Sequence, residues 1–167
     1  MSEDRDSRLL HDLLAREAVR ELRARYGWHA ARGDYEAIVG LFAPDGMFEV
    51  KYDGARRQLR GREAIRAFLQ ATMAPGMVFP MIHNDIVTVE GDEAYGTCAM
   101  ESRSPDGKGG FSGYYHDRAR RHEGRWLFSE RRWFFYVPEF ERSGLGLDGL
   151  PETGLAAIHD RKLGQTA

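Results

Sequence analysis

His83 and Asp85 stand two residues apart in Ile82 to Glu90, a segment rich in β-branched residues. An imidazole titrates near neutral pH, which makes it the commonest general base, and a neighbouring carboxylate fixes its tautomer. On a strand of period two, His83, Asp85, Val87 and Val89 share one face, and the two valines turn that face inward. The pair is therefore expected to project into the interior as a base and the acid that orients it. Such a pair suits general-base chemistry. Tyr115 shares a strand face with Gly113 and Asp117, and a buried phenol there can donate a hydrogen bond to a carbonyl or a developing enolate. Donors of this kind contribute about 2.7 to 4 kcal/mol in measured oxyanion holes. Arg131 alternates with Arg132, so only one of them can point inward. Its company on one face, Leu127, Trp133 and Phe135, favours Arg131, whose guanidinium would bind a carboxylate, a phenolate or a leaving anion. Asp117, with arginines around it, reads as a salt-bridge or turn partner rather than an acid catalyst.

Other chemistries find little support. The six histidines, at 11, 29, 83, 116, 122 and 159, show no metal-ligand spacing, so neither a metal nor another cofactor is expected. Gly107-Lys108-Gly109-Gly110 does not lie between a strand and a helix and reads as a hairpin loop, not a phosphate cradle. The single cysteine, Cys98, cannot form an intrachain disulfide and suits a reducing compartment.

The elements that position these groups follow from periodicity. Leu9, Leu10, Leu13, Leu14, Ala18, Val19, Leu22 and Tyr26 recur at three- and four-residue steps, which predicts an amphipathic helix to about Arg32. Gly33 closes it with a positive φ, and Asp34 caps a short second helix with Ile38, Leu41 and Phe42 inward. Ala43 to Gly46 reads as a turn, Met47 to Tyr52 as a strand, and Gly61 opens a third helix with Ile65, Phe68 and Leu69 on its buried edge. Ile82 to Glu90 and Ala94 to Arg103 form a hairpin about Gly91-Asp92, and Phe111 to Arg121 and Arg125 to Val137 a second about Glu123-Gly124. Helices first and strands later argue for an α+β domain with helices packed on a curved antiparallel sheet. Residues 1–8 are expected to be disordered, 9–137 to form the domain, and 138–167 to be a glycine-punctuated tail.

At 167 residues the chain fits one domain. Its 24 Lys and Arg against 26 Asp and Glu give a net charge of -2, without the basic excess that nucleic acid or an anionic membrane requires. The polar start and the lack of a run of about 18 apolar residues point to a cytoplasmic protein.

Several short motifs now occur together and in order: Tyr26 with Gly33-Asp34, Leu41-Phe42-Ala43-Pro44-Asp45, Gly61-Arg62-Glu63-Ala64-Ile65, Gly91-Asp92-Glu93-Ala94, and GYYHDRARRHEGRWLFSERRW from Gly113 to Trp133. Over residues 9–137 the chain resembles the NTF2-like superfamily, specifically its SnoaL-like branch. The resemblance implies a cone, a curved antiparallel sheet wrapped around N-terminal helices, with an apolar cavity open at one end. Relatives include scytalone dehydratase, bile-acid dehydratase, ketosteroid isomerase, polyketide cyclases and a hexachlorocyclohexane dehydrochlorinase, whose shared chemistry is proton removal beside an activating group. Tyr26 matches the family tyrosine, whereas the helix carboxylate that normally follows it is replaced by Ala31. Arg131, five residues after Trp126, matches a pocket arginine of the dehydrochlorinase.

The expected function is a cofactor-independent lyase or isomerase acting on a small aromatic, polyketide or steroid-like ketone. His83 would be its base, Asp85 the orienting acid, Tyr26 and Tyr115 the enolate donors and Arg131 the anion partner. Trp28, Phe48, Phe68, Phe79, Trp133 and Phe135 are the expected walls. Ala31 motivates the alternative of a non-catalytic ligand-binding or assembly protein. An accessory subunit like the small chain of ring-hydroxylating dioxygenases is a third reading. A small hydrophobic ligand and a homodimer or homotrimer are the partners the resemblance implies.

Overall fold

The computed structural model describes residues 2–52, 55–72, 79–103 and 110–136. The tail at 138–167 and most of the glycine-rich stretch at 107–110 lie outside the described residues, and of Phe135 only the backbone is described. Three helices, α1 (Ser2–Arg32), α2 (Tyr35–Gly40) and α3 (Gly61–Thr72), accompany six strands: β1 (Phe42–Tyr52), β2 (Ala55–Arg60), β3 (Phe79–Glu90), β4 (Glu93–Arg103), β5 (Gly110–His122) and β6 (Arg125–Tyr136). The strands form one curved, unclosed sheet in the order β2-β1-β6-β5-β4-β3. Every neighbouring pair is antiparallel except β1 and β6, which run parallel. That exception to the expected antiparallel sheet arises because the chain reaches β1 before the helices are complete and returns to its side only with the last strand.

The first helix starts at Ser2 rather than at Leu9. Its core-facing stripe is Ala15, Val19, Leu22, Tyr26 and Ala30, all buried, whereas Leu9, Leu10, Leu13 and Leu14 are exposed. At 100° per residue, Val19 lies half a turn around the axis from Leu10, so the early leucines and the core stripe cannot share a face. Gly33 ends the helix at φ 66, and the Asp34 carboxylate accepts the backbone N–H of Ala37 at 3.1 Å, as the capping signals require. Strand β2, not expected from the sequence, pairs along β1 from Met47↔Arg60 to Tyr52↔Ala55. β1 itself starts at Phe42, absorbing the expected turn at 43–46 as an irregularity against β6.

Two bulges reset which residues face the core. The register between β3 and β4 shifts between His83 and Ile86, where Asn84 adopts φ 52. A bulge puts two residues opposite one and so reverses the alternation beyond it. Ile82, Asp85, Val87 and Val89 consequently lie on the core side, and His83 lies on the other. Gly96 accommodates the bulge: a Cβ there would come within 1.9 Å of the Ile86 carbonyl oxygen. A second shift, between Arg118 and Ala119 opposite Ser129, puts Phe128 rather than Leu127 on the same face as Arg131. Phe128 accordingly joins the core cluster with Phe42 and Phe48.

Candidate functional site

The inner face of the sheet is built in rows across neighbouring strands. Ala94, Ala119, Phe128 and Phe42 pair in sequence and form an apolar floor with 0–2% exposure. About 6.6 Å further along the strands comes a charged row, in which Gly96 pairs with Asp117, Asp117 with Arg131 and Arg131 with Phe48. The next row pairs Cys98 with Tyr115, Tyr115 with Trp133 and Trp133 with Val50. Helix α1 lies over these rows and contributes Arg23 and Tyr26.

Arg23 and Arg131, both fully buried, flank one carboxylate. The Arg23 Nε donates to Asp117 Oδ2 at 2.9 Å, and its Nη1 donates to Asp85 Oδ1 at 2.7 Å and to the Thr97 carbonyl at 3.3 Å. Arg131 Nε lies 3.6 Å from Asp117 Oδ1, an ion pair without a hydrogen bond. The guanidinium of Arg131 is instead packed against aromatic rings, its carbon 3.6 Å from the Tyr115 centroid, 4.1 Å from Tyr26 and 4.5 Å from Phe128. Such face contacts satisfy the cation electrostatically but leave its in-plane N–H groups without acceptors. Among the described residues, Arg131 Nε, Nη1 and Nη2 and Arg23 Nη2 are buried without a hydrogen-bond partner.

Burial dominates the acid-base behaviour of this cluster. It pushes the Tyr115 phenol well above its ordinary value and the Tyr26 phenol upward too, while the Arg131 charge pulls both the other way. Both phenols therefore stay protonated at neutral pH, with their ring faces against the Arg131 guanidinium. Burial also raises Asp117, opposed by Arg131 and Arg23. Arg131 is driven down by burial, yet its net shift is upward because Asp117 and the nearby phenols favour the charged form. The Cys98 thiol, pushed up to about 11 by burial, remains protonated and unreactive.

Of the residues singled out in the sequence, Tyr26, Tyr115, Arg131 and Asp85 come together in or beside this cluster. His83 does not: it is exposed on the opposite face, because the bulge at Asn84 takes up the step that would have kept it in phase with Asp85. Asp85 orients Arg23 instead of an imidazole. The expected dyad is thus not formed in this geometry. His29 is half-buried, with its Nδ1 3.5 Å from Asp34. Among the expected walls, Phe48 is core, and Phe68 and Trp133 are half-buried against it. Trp28 is 66% exposed because its helical position lies outside the core stripe, and Phe79 is 47% exposed on the outer face of β3. Two buried ions were not anticipated. Arg23 was legible as a long cation set among Val19, Leu22 and Tyr26 on a buried stripe. Glu49, 1% exposed, accepts from Gln58 at 2.5 Å and pairs with Lys51 and Arg56; burial works to raise its carboxyl, but these partners hold it below the ordinary value.

Among the described residues, no group of three or more His, Cys, Asp or Glu is placed to hold a metal, and no helix is long and apolar enough to cross a membrane. Residues 11–132 match the sequence profile of the SnoaL-like domain. No curated protein matches the chain. An NTF2-like protein with a cystatin-like fold from Novosphingobium aromaticivorans is 30% identical, with 84% of this chain and 92% of that one covered and a TM-score of 0.62. A variant of Rv3472, a function unknown protein from Mycobacterium tuberculosis, is 25% identical over 92% of this chain and 88% of its own, with a TM-score of 0.67. ActVI-ORFA from Streptomyces coelicolor shares the fold at 17% identity, over 71% of this chain and 95% of its own, with a TM-score of 0.60. The profile match over residues 11–132, together with the fold shared with a 30% identical NTF2-like protein, assigns this chain to the SnoaL-like family of the NTF2-like fold.

Proposed function

We propose that this chain is a small-molecule-binding SnoaL-like protein that holds its ligand on the inner face of the sheet and does not use a histidine base. The observation that carries this reading is the separation of His83 from Asp85, with the imidazole exposed and the carboxylate bound to Arg23. A general base must come within hydrogen-bond reach of the proton it removes. The helix position that supplies the second half of the family dyad is Ala31.

What favours a ligand is the apolar lining at one end of the sheet. Val50, Phe68, Ile82, Phe111 and Trp133 are only half-buried there while packing on the core. Flat aromatic ketones and naphthols would lie along Phe111 and Trp133, whose ring centroids are 5.5 Å apart. Titrating such compounds while following tryptophan fluorescence and thermal unfolding tests the reading. Saturable stabilisation without consumption of the compound is expected, weakened by Trp133→Phe and untouched by His83→Ala. Turnover that disappears in His83→Ala would overturn it.

A second reading, a lyase or isomerase working by proton abstraction on an aromatic, polyketide or steroid-like ketone, is favoured by the two protonated phenols beside Arg131. They suit a developing enolate oxygen. The proton would then pass from the carbon beside the carbonyl to Asp117, and Asp117→Asn would abolish turnover while His83→Ala preserved it.

A further inference from the structure

We propose that the ligand is an organic acid whose carboxylate is received by Arg131 and Arg23 at the buried end of the inner face. The proposal rests on the binding reading above and specifies the chemistry of what is bound. Four buried guanidinium nitrogens, Arg131 Nε, Nη1 and Nη2 and Arg23 Nη2, have no hydrogen-bond partner among the described residues. Buried polar groups in folded proteins nearly always have one, and an unpaired buried cation costs most of all. The resident anion, Asp117, does not resolve the deficit: its Oδ2 is bonded to Arg23, and its Oδ1 stays 3.6 Å from Arg131 Nε without a hydrogen bond.

The class of acceptor follows from the shape of the donor. A guanidinium offers its N–H groups in one plane as a fork that matches two carboxylate oxygens, and its faces are the part that stacks on rings. Here the faces are occupied by Tyr26, Tyr115 and Phe128, so the edge is what remains for a ligand. A neutral carbonyl would meet one donor, whereas a carboxylate meets two and offsets the excess positive charge that Asp117 alone leaves on Arg131 and Arg23. The apolar body of such an acid would extend past Tyr115 and Trp133 towards the half-buried Val50, Ile82 and Phe111. Asp85, with its side chain 23% exposed, is the one anion of the cluster that solvent reaches, so the fully buried part of this cluster holds two cations, Arg23 and Arg131, and one anion, Asp117.

The test compares naphthoate with its neutral isostere naphthamide on the full chain at neutral pH, reading dissociation constants by calorimetry or tryptophan fluorescence. Naphthoate is expected to bind at least about tenfold more tightly, the margin of one charge-assisted hydrogen bond. Arg131→Gln should erase that preference, lowering naphthoate affinity at least about tenfold more than naphthamide affinity. Equal or tighter binding of naphthamide would overturn the acid-binding proposal and leave the binding reading standing. Failure of both compounds to bind would overturn both. If Arg131→Gln does not fold, Asp117→Asn provides the second arm: by removing the competing anion it should increase the naphthoate-to-naphthamide preference, and an unchanged or smaller preference would contradict the proposal.

Discussion

Arg23 illustrates how one side chain can decide the character of an interior. It reaches from α1 to the carboxylates of Asp117 on β5 and Asp85 on β3 and so ties the helix to two strands. Removing one partner from a buried ion pair leaves the other charged and unpaired, so Arg23→Ala is expected to cost about 3 to 5 kcal/mol, measured by urea unfolding. A loss below about 1 kcal/mol, the value of an exposed pair, would show that solvent reaches the cluster. The two buried phenols give a second residue-scale prediction. Their folded-state values lie above the ordinary 10.0, so between that pH and their raised values the folded chain keeps protons that the unfolded chain has released. Stability contributed by these phenols is therefore complete below pH 10 and falls as pH rises through that window. Of the seven tyrosines, Tyr26 and Tyr115 should ionise only with unfolding, as seen by ultraviolet titration, and Tyr115→Phe should flatten the alkaline limb of the stability curve.

The elements show where reading residues in order succeeds. Hairpins about Gly91 and Gly124, the Asp34 cap and the positive φ of Gly33 all have local chemical causes, and each appears where that chemistry puts it. The β3 bulge was not legible in the same way. A period-two count assumes an unbroken ladder, and nothing in Ile82-His83-Asn84-Asp85 fixes whether the extra residue precedes or follows His83. Once it is placed at Asn84, the inward set becomes Ile82, Asp85, Val87 and Val89. The Ser129 shift had the same effect on Leu127 and Phe128, while Arg131, beyond it, kept the inward direction its neighbours suggested. Arg23 escaped because the leucines of α1 dominate its periodicity and mask the cation embedded among Val19, Leu22 and Tyr26. Two substitutions test the bulge. Gly96→Ala, whose Cβ would meet the Ile86 carbonyl, should cost about 1 to 3 kcal/mol. Asn84→Val should cost about 1 to 2 kcal/mol for placing a β-branched residue at positive φ, with Asn84→Gly nearly neutral. A neutral Gly96→Ala in thermal or urea unfolding would mean that the two strands do not approach as closely as described.

At the scale of the whole molecule, the fold supplies a curved sheet whose inner face grades from an apolar floor through a charged row to a phenol row and then to half-buried aromatics. Family membership is consistent with many activities, since the fold hosts chemistry only where side chains supply it. In this chain the side chains supply donors and cations inside and place the imidazole outside. The most direct test measures the affinity of one aromatic keto acid with a proton beside its ketone, such as a tetralone carboxylate, for the unaltered chain, His83→Ala and Arg131→Gln under identical conditions, with the compound checked for conversion. No conversion is expected, with unchanged affinity in His83→Ala and at least about tenfold weaker binding in Arg131→Gln, the loss of one charge-assisted contact. Conversion of the ligand that ceases in His83→Ala, with Arg131→Gln binding as the unaltered chain does, would contradict both the absence of a histidine base and the role of the buried guanidinium.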